Sequence, residues 1–396
     1  MRVFVVGIGA NGYSTLTREA EQAIDQAELL IGAERMTRPF ADSAKTVVNA
    51  YISQDIANVL DKSTAKTAAV LMSGDCGFFS GTKSLIPLLK GHEVTIISGI
   101  SSASYFCNKI GISYENMRFI SLHGRQSNIA VNVKMNENCF ILLGGNMSAS
   151  DVCRRLCEYG LSDVTVHIGE ALGYENERIV YGKASEMCGI TTDKLAVMVV
   201  ENPDFLRYIP CSVNDGEFIR GNVPMTKSAV RGNIVSSLNI GKNDVCWDIG
   251  CGTGSVSVEM AFRCIDGNVY AFDKKREAIE LTVQNAQKFG CDNVTAIEGI
   301  CPDILQDIPA PDKVFVGGSS GNMLEIFSVI HSKNPAADVI VTAVSLETLR
   351  QTQDAFEAFG SEYDVTQLAV TETRKIGGYT MLNAQNPIFI FRGKLQ

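Results

Sequence analysis

A chain of 396 residues exceeds one ordinary core, so length alone implies two or three domains. Its 45% hydrophobic and 20% charged residues are those of a globular protein, and a formal net charge of −9 disfavours nucleic acid as the main partner, because phosphate binding draws on clustered Lys and Arg. The apolar run of Met1-Arg-Val-Phe-Val-Val-Gly-Ile-Gly9 is too short for a signal peptide, and no run has the length of a membrane span. Twelve cysteines without a C-x-x-C pair fit reduced thiols in a cytoplasmic protein, and four scattered histidines propose no metal site.

In chain order, Val3-Phe-Val-Val-Gly-Ile-Gly9 reads as a strand entering a glycine-rich turn, with a helix over Thr17 to Ala27. Short apolar strands follow at Leu29–Ile31, Ala68–Ser73, Glu93–Ser98, Phe119–Leu122 and Cys139–Leu143. After a helix over Ser150 to Tyr159, strands at Val164–Ile168, Arg178–Tyr181 and Leu195–Val200 lie closer together, which predicts two α/β lobes. On that helix Cys153 and Cys157 share a face, and without a second pair they read as buried small apolar residues. Turn formers at Asn202-Pro-Asp204 and Ile209 to Gly216 mark a linker, dividing the chain into 1–204 and 205–396. The second half alternates strand and helix from Val245–Ile249 through Asn268–Asp273, Asn293–Gly299, Lys313–Gly318 and Asp338–Ala343 to Ile388–Phe391. That order predicts an open, doubly wound α/β sheet.

The chemistry is densest after Val245. Gly250, Gly252 and Gly254 open a helix and bring backbone N–H groups beside a ligand, while Asp273, ending the next strand, offers a carboxylate to both hydroxyls of a ribose. Asp248, before the first glycine, suits an ammonium better than a pyrophosphate. These residues resemble motif I of class I S-adenosylmethionine (SAM)-dependent methyltransferases. The loop Gly299-Ile-Cys-Pro-Asp303 departs from that pattern, since Ile300 stands where an acid usually meets adenine, so adenine recognition beside Ile300 and Cys301 is expected from the backbone. Met225 and Thr226 are expected to cover SAM, Thr226 having a helix cap as its other reading.

Gly7-Ile-Gly-Ala-Asn-Gly12 fits a dinucleotide fingerprint but lacks the acid after the second strand. Taken with Leu16-Thr17, Ser73-Gly-Asp-Cys-Gly-Phe-Phe79, Gly99-Ile-Ser-Ser102 and Leu122-His-Gly-Arg125, it resembles the tetrapyrrole methylase family. Ala10 and Cys76 stand where that family often has proline. Pro224-Met-Thr-Lys227 ahead of Trp247-Asp-Ile-Gly-Cys-Gly-Thr-Gly-Ser255 resembles the decarboxylating precorrin C15 methyltransferases. Both resemblances in this order imply the fused C5,C15 methyltransferases of cobalamin biosynthesis. They carry two SAM sites per chain, the first at Gly7, Gly9, Gly74, Asp75, Ser101, Ser102 and Leu143, and a precorrin or cobalt-precorrin substrate that also loses CO2 from its C12 acetate. Self-association is expected too.

Methyl transfer to carbon is an in-line displacement that needs positioning more than a dedicated base, which agrees with the lack of a Ser/His/Asp or paired-carboxylate constellation. A polycarboxylate substrate calls for cations along its cleft, and His123, Arg125, Arg220, Lys227 and Arg231 are the candidates. Trp247 reads as core. The rival functions are an RNA or protein methyltransferase with an N-terminal recognition domain, and a non-catalytic SAM sensor. Against the RNA enzyme, Val316-Gly-Gly-Ser-Ser-Gly-Asn322 replaces the Asn/Asp-Pro-Pro-Tyr usual for a base methyltransferase.

Overall fold

Val3, Phe4, Val5 and Val6 are all buried, so their strand is apolar on both faces, as strands inside parallel sheets are. In the computed structural model, which describes residues 1–11, 13–41, 43–123, 127–145, 147–192 and 195–395, this strand is β1 (Arg2–Gly7). It joins β2 (Leu29–Gly32), β3 (Thr46–Asn49), β4 (Thr67–Met72) and β5 (Glu93–Ile97) in the order β3-β2-β4-β1-β5, every pair parallel. Two helices of this half start where a hydroxyl meets their unpaired amides. Thr17 Oγ1 accepts from Ala20 N at 3.2 Å ahead of Arg18–Gln26, and Ser101 Oγ accepts from Ser104 N at 3.0 Å ahead of Ser102–Ile110. Each such cap contributes about 1 kcal/mol.

A second sheet holds β6 (Arg118–Ser121), β7 (Asn138–Leu142), β8 (Thr165–Glu170), β9 (Arg178–Lys183) and β10 (Ala196–Glu201) in the order β6-β7-β10-β8-β9. Only β6 and β7 run parallel; the others pair antiparallel. These are the two α/β lobes read from the sequence.

The third sheet is built from β11 (Val245–Ile249), β12 (Asn268–Asp273), β13 (Val294–Glu298), β14 (Lys313–Val316), β15 (Asp338–Ala343), β16 (Tyr363–Leu368) and, beyond a separate hairpin of β17 (Thr371–Ile376) and β18 (Tyr379–Ala384), β19 (Ile388–Lys394). Its order is β13-β12-β11-β14-β15-β19-β16, parallel through β15 and antiparallel beyond. Alternate residues feed two cores. Cys246, Phe315 and Ile340 pack with Val230, Ile234 and Val258 on one face, while Trp247, Val314 and Val339 pack with Ile326, Phe327 and Phe356 on the other. Trp247 is fully buried, its Nε1–H donating to Pro309 O at 3.2 Å, so it is core as expected. The chain order reverses between β12 and β14, and the crevice at the carboxyl end of such a reversal is where ligands enter open α/β sheets.

Packing groups the chain into two compact units, Met1–Gln126 with Asn138–Cys153 and Val164–Glu201, and Ser127–Glu137 with Arg154–Asp163 and Asn202–Gln396. The placement of 127–137 in the second unit has a local cause. Asp292 Oδ2 accepts from the backbone N–H of Ile129 at 2.8 Å and Ala130 at 3.0 Å, and Oδ1 accepts from Val131 N at 3.0 Å. One carboxylate thus satisfies the amides opening the helix Ala130–Met135. Asn128 Nδ2 adds bonds to the carbonyls of Ile265 and Gly267 at 3.0 and 2.7 Å, and Val131 enters the core beside Phe262.

Candidate functional site

Each unit presents a cavity at the carboxyl ends of its parallel strands, and glycine makes both possible. In the first unit, a Cβ on Gly99 would lie 2.2 Å from Gly74 O and 2.5 Å from Gly7 O, so the ends of β1, β4 and β5 touch backbone to backbone. Gly9 and Gly74, at φ +72 and +66, exchange two hydrogen bonds of 3.0 Å. Asp75 locks the turn, its Oδ1 accepting from Gly77 N at 2.7 Å and its Oδ2 from Gly99 N at 3.0 Å.

Above these turns is a cavity of about 190 Å³. Of the expected residues, Gly9, Gly74, Asp75, Ser102, His123 and Leu143 line it. Gly7 and Ser101 lie behind the wall, one as a backbone contact and the other as a helix cap. Arg125 falls outside the described residues, as do Gly12 and Gly124. The side facing the second sheet is apolar, from Leu142, Leu172, Ala196 and Val197, and suits a flat hydrophobic group. Phe78, Phe79 and His123 also border an open trough of about 800 Å³ reaching Lys83, Ile96 and Phe119. Burial, and secondarily the charge of Arg35, hold the His123 imidazole below its ordinary pKa, so it is a neutral group near pH 7 rather than the cation anticipated. Arg35 itself, on the helical turn Glu34–Thr37, lines the cavity and had no signal in the sequence to mark it.

In the second unit, Gly250, Gly252 and Gly254 take φ of +80, +56 and +73. A Cβ on Gly250 would meet Gly318 N at 2.7 Å, and one on Gly252 would meet Pro224 O at 2.5 Å. Gly250 N and Cys251 N donate to Phe272 O at 2.8 and 3.0 Å, leaving the turn open towards a cavity of about 230 Å³. Its lining brings together Thr226, Gly250, Gly252, Asp273, Ile300 and Cys301 with Pro224 of the Pro-Met-Thr-Lys motif, and adds Lys274, Lys275 and Ser319, which were not expected in the site. The two lysines directly follow Asp273, a signal that was available. Asp273 accepts one backbone N–H on each oxygen, from Gly252 at 3.1 Å and Lys275 at 3.0 Å, which orients the carboxylate and leaves lone pairs on both atoms. Burial pushes the Cys301 thiol up to about 12, so it is an inert wall.

Four expectations change. Gly254 is behind the cavity, starting the helix Ser255–Ala261 in left-handed conformation, and Met225 packs into the core. Asp248 has no exposed surface and lies under the glycine turn, not on the wall. Ser257 donates to its Oδ2, its Oδ1 has no hydrogen-bond partner, and burial raises its carboxyl to about 7. Arg231, anticipated as a cleft cation, is wholly buried. It meets Glu259 at 2.5 Å and Asp215 at 3.2 Å, and donates to the carbonyls of Thr226 and Val213. Lys227 is part-exposed, 3.8 Å from Asp215, and Arg220 Nε donates to Asp215 O at 3.1 Å.

The comparisons fall on the two halves of the chain. Residues 2–188 match the tetrapyrrole (corrin/porphyrin) methylases, and residues 217–394 match the precorrin methyltransferase domain. A probable cobalt-precorrin-6B C(15)-methyltransferase (decarboxylating) from Pyrobaculum calidifontis is 39% identical over 42% of this chain and 87% of its own length. The precorrin-6Y C(5,15)-methyltransferase [decarboxylating] of a Sinorhizobium species is 23% identical over 97% of this chain and 94% of its own. A solved precorrin-6y C5,15-methyltransferase from Geobacter metallireducens covers 48% of this chain and all of its own at 31% identity, with a TM-score of 0.45.

Proposed function

The chain belongs to the precorrin methyltransferases, and we propose that it is a bifunctional SAM-dependent enzyme of cobalamin biosynthesis, methylating C5 and C15 of a precorrin-6 or cobalt-precorrin-6 macrocycle and releasing CO2 from its C12 acetate. One observation carries this reading: of two separate cavities, each over a glycine turn at the carboxyl ends of parallel strands, the first is lined mostly and the second wholly by residues that match the two methylase families. We assign C5 methylation to the first and C15 methylation with decarboxylation to the second, with the chain divided near 204/205.

The residues of the second cavity fit SAM. Asp273 is oriented with lone pairs free for two ribose hydroxyls, and the exposed Ile300 offers an apolar surface to adenine. The apolar wall around Leu143 and Ala196 does the same for adenine in the first cavity. Bound SAM supplies an electrophilic methyl group. The protein then holds donor and macrocycle in line and excludes water, which is worth about 7–11 kcal/mol when the geometry is right. Loss of CO2 needs an electron sink, which a protonated conjugated macrocycle provides, so no strong base is required beside the acetate.

Calorimetry of the full chain with S-adenosylhomocysteine should find two sites, and mass spectrometry of the product should find two added methyl groups and one lost CO2. Asp273→Ala should weaken the second site and spare C5 methylation. Equal loss of both methylations would point to one shared site and sink the assignment.

Among the described residues, no helix is long and apolar enough to cross a membrane. A cytoplasmic location and self-association remain part of the proposal.

A further inference from the structure

We infer that Arg35 is a carboxylate-binding residue of the first cavity, its planar guanidinium taking an acid group of a molecule that occupies the space beside His123. The inference rests on the proposed function for the identity of that molecule, but the observations behind it do not.

Arg35 stands on a short, well-anchored platform. β2 ends at Gly32, where a Cβ would come within 3.1 Å of Leu71, and the chain turns at once into Glu34–Thr37. Thr37 is buried, its Oγ1 bonded to Asn49 Oδ1 at 2.6 Å and to Glu34 O at 3.1 Å, while Met36 packs against the core that holds Phe40. With these neighbours fixed, Arg35 is left on the side of the turn that lines the cavity.

The charge there is uncompensated. Among the described residues Arg35 has neither an ion pair nor a hydrogen bond, and no other Lys or Arg lines this cavity. Asp75, the one acid on the wall, directs its oxygens at the backbone N–H groups of Gly77 and Gly99. The other polar groups present, Ser73, Ser102, Tyr174 and the neutral His123, carry no charge to balance a guanidinium. With Asp75 held by those amides, no anion on the wall is directed at Arg35, and a flat five-donor fork matches a carboxylate in two parallel bonds.

Two sources can supply that acid: the amino-acid end of SAM and an acidic side chain of the macrocycle. The macrocycle is favoured because His123 borders both this cavity and the open trough of about 800 Å³, which has room for a large ring.

The test uses the full chain as Arg35→Gln and Arg35→Lys, with S-adenosylhomocysteine titrated by calorimetry and C5 methylation followed by mass spectrometry. For a macrocycle carboxylate, Arg35→Gln should raise the substrate KM for C5 methylation by about tenfold or more. The kcat, the affinity for S-adenosylhomocysteine and C15 methylation should stay near those of the parent, and Arg35→Lys should recover part of the loss. If the acid belongs to SAM, the affinity of one of the two S-adenosylhomocysteine sites falls by a similar factor and substrate KM holds; the carboxylate role stands and only its source changes. Parental KM and parental affinity together in Arg35→Gln overturn the proposal. Failure of the functional reading shows elsewhere, as an unmodified chain that does not methylate C5 or does not bind S-adenosylhomocysteine at two sites.

Discussion

Arg231 Nε and Glu259 Oε1 lie 2.5 Å apart, and neither side chain reaches solvent. Glu259 belongs to the helix that follows the glycine turn of the second cavity, and the same oxygen takes the Ser212 hydroxyl at 2.7 Å and Val213 N at 2.9 Å. Arg231 also bonds the carbonyl of Thr226, a residue on the cavity wall. A buried ion pair therefore pins both ends of the segment 213–226, whose Pro224 carbonyl closes against Gly252.

Breaking that pair should be costly and asymmetric. Arg231→Met leaves the Glu259 carboxylate in the core without its counter-ion, which typically costs about 3–5 kcal/mol, whereas removing both charges costs much less. Urea denaturation followed by the fluorescence of Trp247 reads the second unit directly. The double variant Arg231→Met with Glu259→Met should be more stable than Arg231→Met alone; if the two losses simply add, the pair is not the source of the effect.

Asp248 gives the second unit a pH dependence. Its folded carboxyl sits at about 7, far above the ordinary value of about 3.9, because burial disfavours the charged form. A folded state that holds its proton more tightly is favoured at low pH, so this contribution is fully present below about pH 4 and is lost as pH rises through about 7. Denaturation midpoints across that window should fall less steeply in Asp248→Asn than in the parent. Identical slopes would show that Asp248 is not titrating there.

Gly252→Ala should damage the second cavity alone. The new methyl would fall 2.5 Å from Pro224 O at a φ of +56, so the 213–226 segment or the turn has to move. We expect S-adenosylhomocysteine to bind one site as before and the other at least about tenfold more weakly, about 1.4 kcal/mol. Two unaltered sites in calorimetry would mean that the close approach is not needed.

Asp292→Ala removes the acceptor for three consecutive amides and should destabilise the second unit by about 1–3 kcal/mol. Hydrogen exchange at residues 129–131 should accelerate more than in the neighbouring strand β13. Unchanged protection at those amides would refute the capping role.

Much of this architecture was legible because its strands are buried on both faces. Val245–Ile249 and Ala68–Ser73 have no polar face to blur them, and the glycines that follow have backbone contacts that no side chain could make. What the sequence hid is of two kinds. Strands β17 and β18 expose every side chain, and β3 is four residues long with only its two valines half-buried, so no period marks them. Burial of charge was the other. Arg231 is drawn inward by Glu259, 28 residues on, and Asp248 is covered by the helix that follows its own turn; nothing local separates an arginine in a cleft from one in a core. Arg35 was missed for the converse reason, since only the fold brings β2 to the mouth of the first cavity.

The segment 127–137 also constrains how the chain is made. The helix Ala130–Met135 leaves the ribosome 162 residues ahead of the carboxylate that closes its first turn. At about 5–20 residues per second, that interval lasts roughly 8–32 s. Through it, the amides of residues 129–131 lack their acceptor, and Val131 lacks the core that will cover it. Both flanks of the segment lead into β6 and β7, the parallel pair at one edge of the second sheet, so the nascent first half carries an open, apolar loop between two of its own strands. Completion of the first half thus waits on translation of the second, and a ribosome stalled before Asp292 would present that loop to chaperones or proteases.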